Sequence, residues 1–566
     1  MDIVGMGIRF APTIAALVVS TFAFPLAAQS FRGAVRDSAS RQPIAGAVVM
    51  LLDSSGAVLG RNISNERGQY RVTYVRVALT MRVVRIGFLP REIPVVDSPD
   101  RDRSLDATMV PFSTTLASVR VTDKSNCPRR SDRATAFAFW EQARAGLLNT
   151  VVARETHPMS VHRLGFERTM DGNSDKITRF LVWEDSARKS ETSFNAVHSA
   201  RDFVKSGFSG GSADSVLMFG PDADVLLDDA FAAGYCFHLA EPSRARPSQV
   251  GLAFAPPDRK PGRVDIDGTL WIDTTERTLT DIEFRYVGMQ GRVDGFRPGG
   301  TISFRAMPNG VAFIDRWYLR RVDAEKDTVL ALSGRSGDAL ELRDFLFATE
   351  NGGEVANASW PDGRTWRASL GALRVRAVTS TGRPAIGAAV FLPGTPYHGA
   401  SDSSGTILIG ELLPGPYSLR IRDARIAELG ISLPTPISFV AARDSTHRTT
   451  LKVPTAEEYV AGMCLRDHQW RVNDSTFILG RIVTPAGKSV DDAKVSFATQ
   501  MDNGQWNWLR WYYRTGTDGV FQSCSDSFTP GTTVLIRISR SGFPNLDIKR
   551  TVTANLTILR VQVDAP

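Results

Sequence analysis

Phe31-Arg32-Gly33-Ala34-Val35-Arg36-Asp37 is followed by Gln42-Pro43-Ile44-Ala45-Gly46-Ala47-Val48-Val49-Met50-Leu51, then by Glu66-Arg67-Gly68-Gln69-Tyr70-Arg71-Val72, and closes with Arg85-Ile86-Gly87-Phe88. Alternating apolar residues in this stretch argue for strands, and its glycines and proline punctuate them as turns. Gly68, placed after two polar residues, suits a backbone of positive φ ahead of the next strand.

The same layout returns twice. Leu373-Arg374-Val375-Arg376-Ala377-Val378 leads to Gly382-Arg383-Pro384-Ala385-Ile386-Gly387-Ala388-Ala389-Val390, then Ser403-Ser404-Gly405, then Leu413-Pro414-Gly415-Pro416-Tyr417. Further on come Leu479-Gly480-Arg481-Ile482-Val483, Ala493-Lys494-Val495-Ser496-Phe497, Thr517-Asp518-Gly519-Val520-Phe521, Pro530-Gly531 and the close Ser541-Gly542-Phe543. The three copies together cover roughly half the chain, which makes repetition the main organising signal.

At these residues the chain resembles the carboxypeptidase regulatory-like domain, a transthyretin-like β-sandwich. That pattern has a Gly-x-Val opening strand, a Pro-x-x-Gly-Ala-x-Val second strand, a polar-polar-Gly turn before an aromatic strand, and a Gly-aromatic close. The first copy carries every part; the second lacks the opening Gly and the Gly-aromatic close; the third has Ser489-Val490-Asp491-Asp492 in place of Pro-x-x-Gly. The resemblance implies modules of the kind that accompany peptidases, surface proteins and TonB-dependent receptors, with a fold shared by carbohydrate-binding modules.

With 566 residues the chain exceeds what one core usually serves. Its 43% hydrophobic and 22% charged residues are those of a globular protein, not a disordered one. The net charge of +7 is spread out, with no run of five basic residues, so nucleic-acid binding is not expected. At the N-terminus, Met1 to Phe10 carries Arg9, Ala11 to Phe24 is almost wholly apolar, and Pro25-Leu26-Ala27-Ala28-Gln29 supplies small residues for cleavage. That three-part pattern predicts a secretory signal and export to the periplasm, outer membrane or exterior. No later segment is long and apolar enough for a spanning helix, so no integral span is expected after signal removal.

Between the first and second copies the pattern changes. Cys127-Pro128 precedes helical spacing from Ser131 to about Thr150, with Ala134, Phe137, Trp140, Ala143, Leu147 and Val151 as its apolar stripe and Ser131 as cap. A second amphipathic run, Ala223 to Ala233, leads to Gly234-Tyr235-Cys236-Phe237, and long strand patterns follow from Val264 to Leu319. This predicts an α+β domain, with a half-open β-barrel over helices as one form of it. The Gly268-Thr269-Leu270-Trp271-Ile272-Asp273 and Leu279-Thr280-Asp281-Ile282-Glu283-Phe284-Arg285-Tyr286 series is similar to exported half-barrel proteins of the outer-membrane lipoprotein-carrier type. The expected fold class is therefore mainly β and multidomain: a signal peptide at 1–29, sandwiches at 30–112, 370–455 and 464–566, and an α+β middle domain at 125–350. The four cysteines form no CxxC pair, and in an exported chain they suggest disulfides. Domain layout favours Cys127 with Cys236 and Cys464 with Cys524, against the alternative of isolated buried thiols.

No catalytic residue, metal site or cofactor is expected. Gly207-Phe208-Ser209-Gly210-Gly211 fits the nucleophile-elbow spacing, but that elbow needs a strand before the serine and a helix after it. His238-Leu239-Ala240-Glu241 has a His-x-x-Glu spacing but no third ligand, because the next of the seven histidines is His398, inside a sandwich. Asp97 to Asp106 lacks calcium-loop spacing. The most unusual local feature is Trp506-Asn507-Trp508-Leu509-Arg510-Trp511-Tyr512-Tyr513. Strand alternation puts Trp506, Trp508 and Tyr512 on one face, where exposed rings suit a glycan or protein partner, and Trp511 and Tyr513 on the other. The expected function is a non-enzymatic envelope or surface binding and scaffold protein, with a glycan or envelope protein as partner. The alternatives are an accessory of TonB-dependent receptor systems, suggested by Leu116-Ala117-Ser118-Val119-Arg120-Val121-Thr122, and a hydrophobic-ligand carrier working through the middle domain.

Overall fold

The computed structural model describes residues 29–74, 78–95, 102–112, 127, 133–171, 176–187, 194, 196–212, 215–258, 262–289, 294–331, 339–429, 437–467, 476–525, 528–541, 544–552 and 556–563. Residues 1–28 of the expected signal peptide, the expected cap Ser131 and the Leu116–Thr122 segment lie outside them. The chain divides into two compact units, one from residues within 1–118, 141–156 and 306–312, the other from 119–140, 157–305 and 313–566.

The first unit holds a sandwich of β1 (Gln29–Asp37), β2 (Val48–Leu52), β3 (Val58–Ile63), β4 (Gln69–Tyr74), β5 (Thr80–Val84), β6 (Arg91–Pro94), β7 (Asp102–Ser104) and β8 (Ala107–Met109). One sheet has the order β4-β1-β7 with β8 also on β1, and the other β3-β2-β5-β6. Phe31, Val35, Val49, Leu51, Val72, Met81 and Val83 meet between them. Each such side chain contributes about 1.5–3 kcal/mol by leaving water. Residues 141–156 of helix α1 (Arg133–Thr156) lie on this sandwich. Gln142 accepts from Gly87 N at 2.7 Å and donates to Phe88 O at 3.1 Å. The Asn149 amide donates to Gly46 O at 3.0 Å and Gly310 O at 2.9 Å, while its oxygen accepts from Ala312 N at 2.9 Å. Gly46 must be glycine here: its φ is 75°, and a Cβ would stand 2.7 Å from Gly310 O. The helical stripe differs from expectation at Phe137, which is 43% exposed, while Ala136 and Phe139 are buried in its place.

The second unit begins with the middle domain. Its elements are β9 (Ser160–Met170), β10 (Ile177–Ala187), α2 (Ala200–Ser206), β11 (Ser209–Ser212), β12 (Ser215–Met218), α3 (Ala223–Leu227), α4 (Asp229–Gly234), β13 (Cys236–Leu239), β14 (Gln249–Ala255), β15 (Asp265–Asp273), β16 (Thr278–Val287), β17 (Gly299–Ala306), β18 (Ala312–Ala331), β19 (Ala339–Ser359) and β20 (Thr365–Arg367). They form a ten-stranded sheet of order β10-β9-β19-β18-β17-β16-β15-β14-β13, with β20 added to β19. Among the described residues its two edges, β10 and β13, do not pair, so the barrel stays open. The run read as one helix from Ala223 breaks at Asp228, whose carboxylate accepts from Ala230 N and caps α4. Leu252, Phe254, Leu270, Ile282, Phe284 and Ile302 share one sheet face by alternation and register. Phe231 of α4 and Tyr235 pack edge-on to Phe254 at 5.7 and 6.1 Å. Cys127 and Cys236 are joined by a disulfide with their Cα atoms 5.5 Å apart, the pairing favoured from the sequence.

The second sandwich comprises β21 (Gly371–Val378), β22 (Ala389–Phe391), β23 (His398–Ala400), β24 (Thr406–Leu412), β25 (Gly415–Arg422), β26 (Ile437–Ala441) and β27 (Thr446–Lys452), with α5 (Ala424–Leu429) between β25 and β26. Its core continues into the middle sheet through Leu164, Phe166 and Val182, and Phe180 sits edge-on to Tyr417 at 5.3 Å. After α6 (Ala456–Asp467) the third sandwich runs through β28 (Thr476–Val483), β29 (Lys494–Gln500), β30 (Trp506–Arg514), β31 (Val520–Ser525), β32 (Thr533–Ser539), β33 (Leu546–Thr551) and β34 (Leu556–Gln562). Ile426 and Leu429 of α5, Ala456 and Val460 of α6, and Phe477 and Leu479 of β28 make a small core shared by the second and third sandwiches.

All three sandwiches are wired alike. The sheet orders β24-β21-β27 with β23-β22-β25-β26, and β31-β28-β34 with β30-β29-β32-β33, repeat the first, and each opening strand pairs in parallel with the closing one. The entry to the second strand is also built the same way each time. Gly46, Gly387 and Asp492 take φ of 75°, 70° and 50°. The following alanine N donates to a buried hydroxyl: Ala47 to Ser64 at 2.9 Å, Ala388 to Ser401 at 2.8 Å, Ala493 to Thr515 at 2.9 Å. Each hydroxyl then donates back to the carbonyl of Ile44, Ala385 or Val490. The third copy thus keeps the second strand even though Asp491-Asp492 replaces the expected Pro-x-x-Gly ending.

Candidate functional site: the outer face of the third sandwich

Strands β29 and β30 are joined by a tight turn in which Gly504 N donates to Met501 O and Gly504 has φ 80°. Alternation along β30 then divides its aromatics. Trp511 and Tyr513 point inward, with ring centroids 5.6 and 6.2 Å from Phe497, whose side chain is wholly buried. Trp506, Trp508 and Tyr512 lie on the outer face, where Trp508 is 37% and Tyr512 49% exposed and Trp506 is half-buried.

Register explains how these rings lie. Trp508 pairs with Ala498, which pairs with Leu535, which pairs with Lys549, so one outward row crosses all four strands. Tyr512 pairs with Ser496, which pairs with Arg537. Small side chains at Ala498 and Ser496 leave room over β29, and Ala498 and Leu535 are buried although they belong to the outward row. Cations from neighbouring strands cover the rings: Arg537 lies 4.5 Å from the centroid of Trp508, Lys494 4.3 Å from Tyr512 and Lys549 5.5 Å from Trp506. Such contacts contribute about 0.5–1 kcal/mol each at exposed positions.

The charges are unevenly matched. Arg537 makes a two-pronged bond to Asp547 at 2.7 Å, which holds the Asp547 carboxyl below its usual range. Arg514 bonds Asp492 at 2.6 Å. Lys494, Arg510 and Lys549 have no carboxylate partner among the described residues. The surface is an aromatic layer studded with cations.

The structure brings Trp506, Trp508 and Tyr512 together as alternation predicts, and it adds the cations, which inspection of β30 alone could not supply. They stand on β29, β32 and β33 as Lys494, Arg537 and Lys549, and only strand register brings them to the rings. Ser209 follows helix α2 and opens strand β11, the reverse of the order an elbow needs. His238 lines a cleft of about 440 Å³ on the middle sheet, together with Asp267, Thr269, Glu283 and Arg285. Asp267 there is paired with Arg285, and Glu283 with Arg246. Among the described residues no three His, Cys, Asp or Glu side chains gather as a metal site. The side chains of Cys464 and Cys524 lie outside the described part of the structure.

Residues 30–110 match the carboxypeptidase regulatory-like domain, and the first sandwich is such a domain. No curated protein matches the chain. Among solved structures it is similar to the Bacillus anthracis TIE protein, at 11% identity over 62% of this chain and 64% of that one, with a TM-score of 0.15. It is also similar to a variant of the major pilin subunit of Bacillus cereus, at 9% identity over 75% of this chain and 99% of that one, with a TM-score of 0.14. A third match is chlorocatechol 1,2-dioxygenase from Pseudomonas putida, at 11% identity over 16% of this chain and 61% of that one, with a TM-score of 0.14. The chain therefore spans less than two thirds of the TIE protein and of the dioxygenase.

Proposed function

We propose that the chain is an exported, non-enzymatic envelope protein in which the sandwiches form a scaffold and the outer face of the third binds glycan. The observation that carries this reading is the layer of Trp506, Trp508 and Tyr512, gathered on one sheet face with two of the rings more than a third exposed. Large aromatics left at the surface in one patch signal recognition, because burying them elsewhere would have been favourable. The scaffold role is supported by the continuous packing from the middle sheet into the second sandwich and on to the third. Export is supported by the leader-like N-terminus and by the Cys127–Cys236 bridge, a bond kept in oxidising compartments.

A glycan array probed with the full chain and with the Trp506→Ala/Trp508→Ala double variant tests the reading. Binding that drops about tenfold or more in the variant supports it. Equal binding by both forms, or none by either, overturns it.

A further inference from the structure

We infer that the ligand of this face is an acidic polysaccharide, held by the cations that lie over the aromatic rings. This rests on the proposal that the third sandwich binds glycan, and it names the glycan's chemistry.

A neutral sugar stacks its apolar face on an uncovered ring. Here all three rings already carry a cation, at 4.5 Å for Arg537 on Trp508, 4.3 Å for Lys494 on Tyr512 and 5.5 Å for Lys549 on Trp506. What the layer presents outward is therefore charge, with the rings as a rigid bed that fixes the long side chains and limits the rotamer entropy lost on binding. Five cations, Lys494, Arg510, Arg514, Arg537 and Lys549, face two carboxylates, Asp547 and Asp492, both already paired. Three positive charges remain to be matched by a partner.

The spacing of those charges speaks for a polymer. Lys549 shares its row with Ala498, four residues from Lys494 along β29, and two strand spacings separate β29 from β33. At about 3.3 Å per residue and about 4.8 Å per strand, their backbones stand roughly 16 Å apart. One small anion cannot bridge that distance, whereas a chain with a carboxylate on each of several sugars can. Single-stranded nucleic acid is disfavoured because its bases need free ring faces on which to stack. A membrane surface is disfavoured because each ring on this sheet face lies beside a cation, unlike an amphipathic helix with a continuous apolar face to bury.

The test is titration of the full chain with polygalacturonate and with neutral dextran, at low and high salt. It is repeated for the Lys494→Gln/Arg510→Gln/Lys549→Gln variant, whose changes fall on outer-face side chains without a carboxylate partner among the described residues. The expected result is binding to polygalacturonate but not dextran, weakened about tenfold or more by the triple change and also by salt. Binding to dextran as strong as to polygalacturonate, or a triple variant that binds polygalacturonate unchanged, overturns the acidic assignment and leaves the glycan reading standing. Failure to bind either polymer removes both. Tighter binding to a single-stranded oligonucleotide or to phosphatidylglycerol vesicles than to polygalacturonate also overturns the assignment.

Discussion

Arg443 of the second sandwich and Glu354 of the middle sheet form a two-pronged ion pair, with nitrogen–oxygen distances of 2.7 and 2.6 Å. Glu354 is buried, and its carboxylate holds the Arg443 guanidinium above its ordinary pKa. Nearby, Arg168 donates to Pro414 O at 2.8 Å and lies over the rings of Phe166 and Phe180. The second sandwich is thus fixed to the middle sheet by charge as well as by apolar packing.

Arg443→Met leaves the Glu354 carboxylate buried without that partner, and such losses cost about 3–5 kcal/mol. Glu354→Gln leaves a cation that is one third exposed and can be solvated, so it costs less. Denaturant midpoints of the two variants check this order. A larger loss for Glu354→Gln would contradict the burial assigned to the pair.

Asn149→Ala removes three hydrogen bonds at a residue 5% exposed and strands Gly46 O, Gly310 O and Ala312 N. An unmet buried group costs about 1–3 kcal/mol, and partial entry of water keeps the total near 3 kcal/mol. Hydrogen exchange should speed up at Ala312 and through residues 141–156. Unchanged protection there would refute the role given to Asn149.

Thr515→Val, Ser401→Ala and Ser64→Ala each delete the same hydroxyl, which accepts from an alanine N–H and donates to a carbonyl. Each is expected to destabilise by about 1–2 kcal/mol. Thermal melts of the three variants should show similar losses, since the three entries are built alike. A neutral Thr515→Val would place the third copy apart from the other two.

Much of this was legible in the sequence. The glycine and alanine spacing carried the sandwiches, and alternation sorted Trp506, Trp508 and Tyr512 from Trp511 and Tyr513. The third copy was harder, because Asp492 takes the positive φ that glycine holds in the other two, and aspartate tolerates that region at some cost. The hydroxyl four residues before Gly68, Gly405 and Gly519 was a usable signal that strand patterning passes over. The cations over the rings were not legible, since they come from β29, β32 and β33 and meet β30 only through register. The exposure of Phe137 was missed because helical spacing marks a stripe but does not say how wide its cover is.

The acid side of the stability profile follows from Glu457, whose carboxyl is held below its ordinary range first by hydrogen bonds from Arg425 at 2.5 and 2.6 Å. A depressed folded-state pKa adds stability that is complete above the unfolded value of about 4.3 and is lost as the pH falls through the lower folded value. The pair is more than a third exposed, so solvent screening keeps its contribution under about 1 kcal/mol. Glu457→Gln should lower stability at neutral pH and flatten the decline below about pH 4.3. Parallel curves for variant and parent across that range would contradict the pairing.

The central claim is that recognition takes place on the outer face of the third sandwich. Hydroxyl-radical footprinting of the full chain, with and without polygalacturonate, measures this directly. Protection of Trp508 and Tyr512, with the exposed Trp183 of β10 and the His238 cleft unchanged, is the predicted result. Protection centred on the His238 cleft, with Trp508 and Tyr512 as reactive as in the free chain, would contradict it.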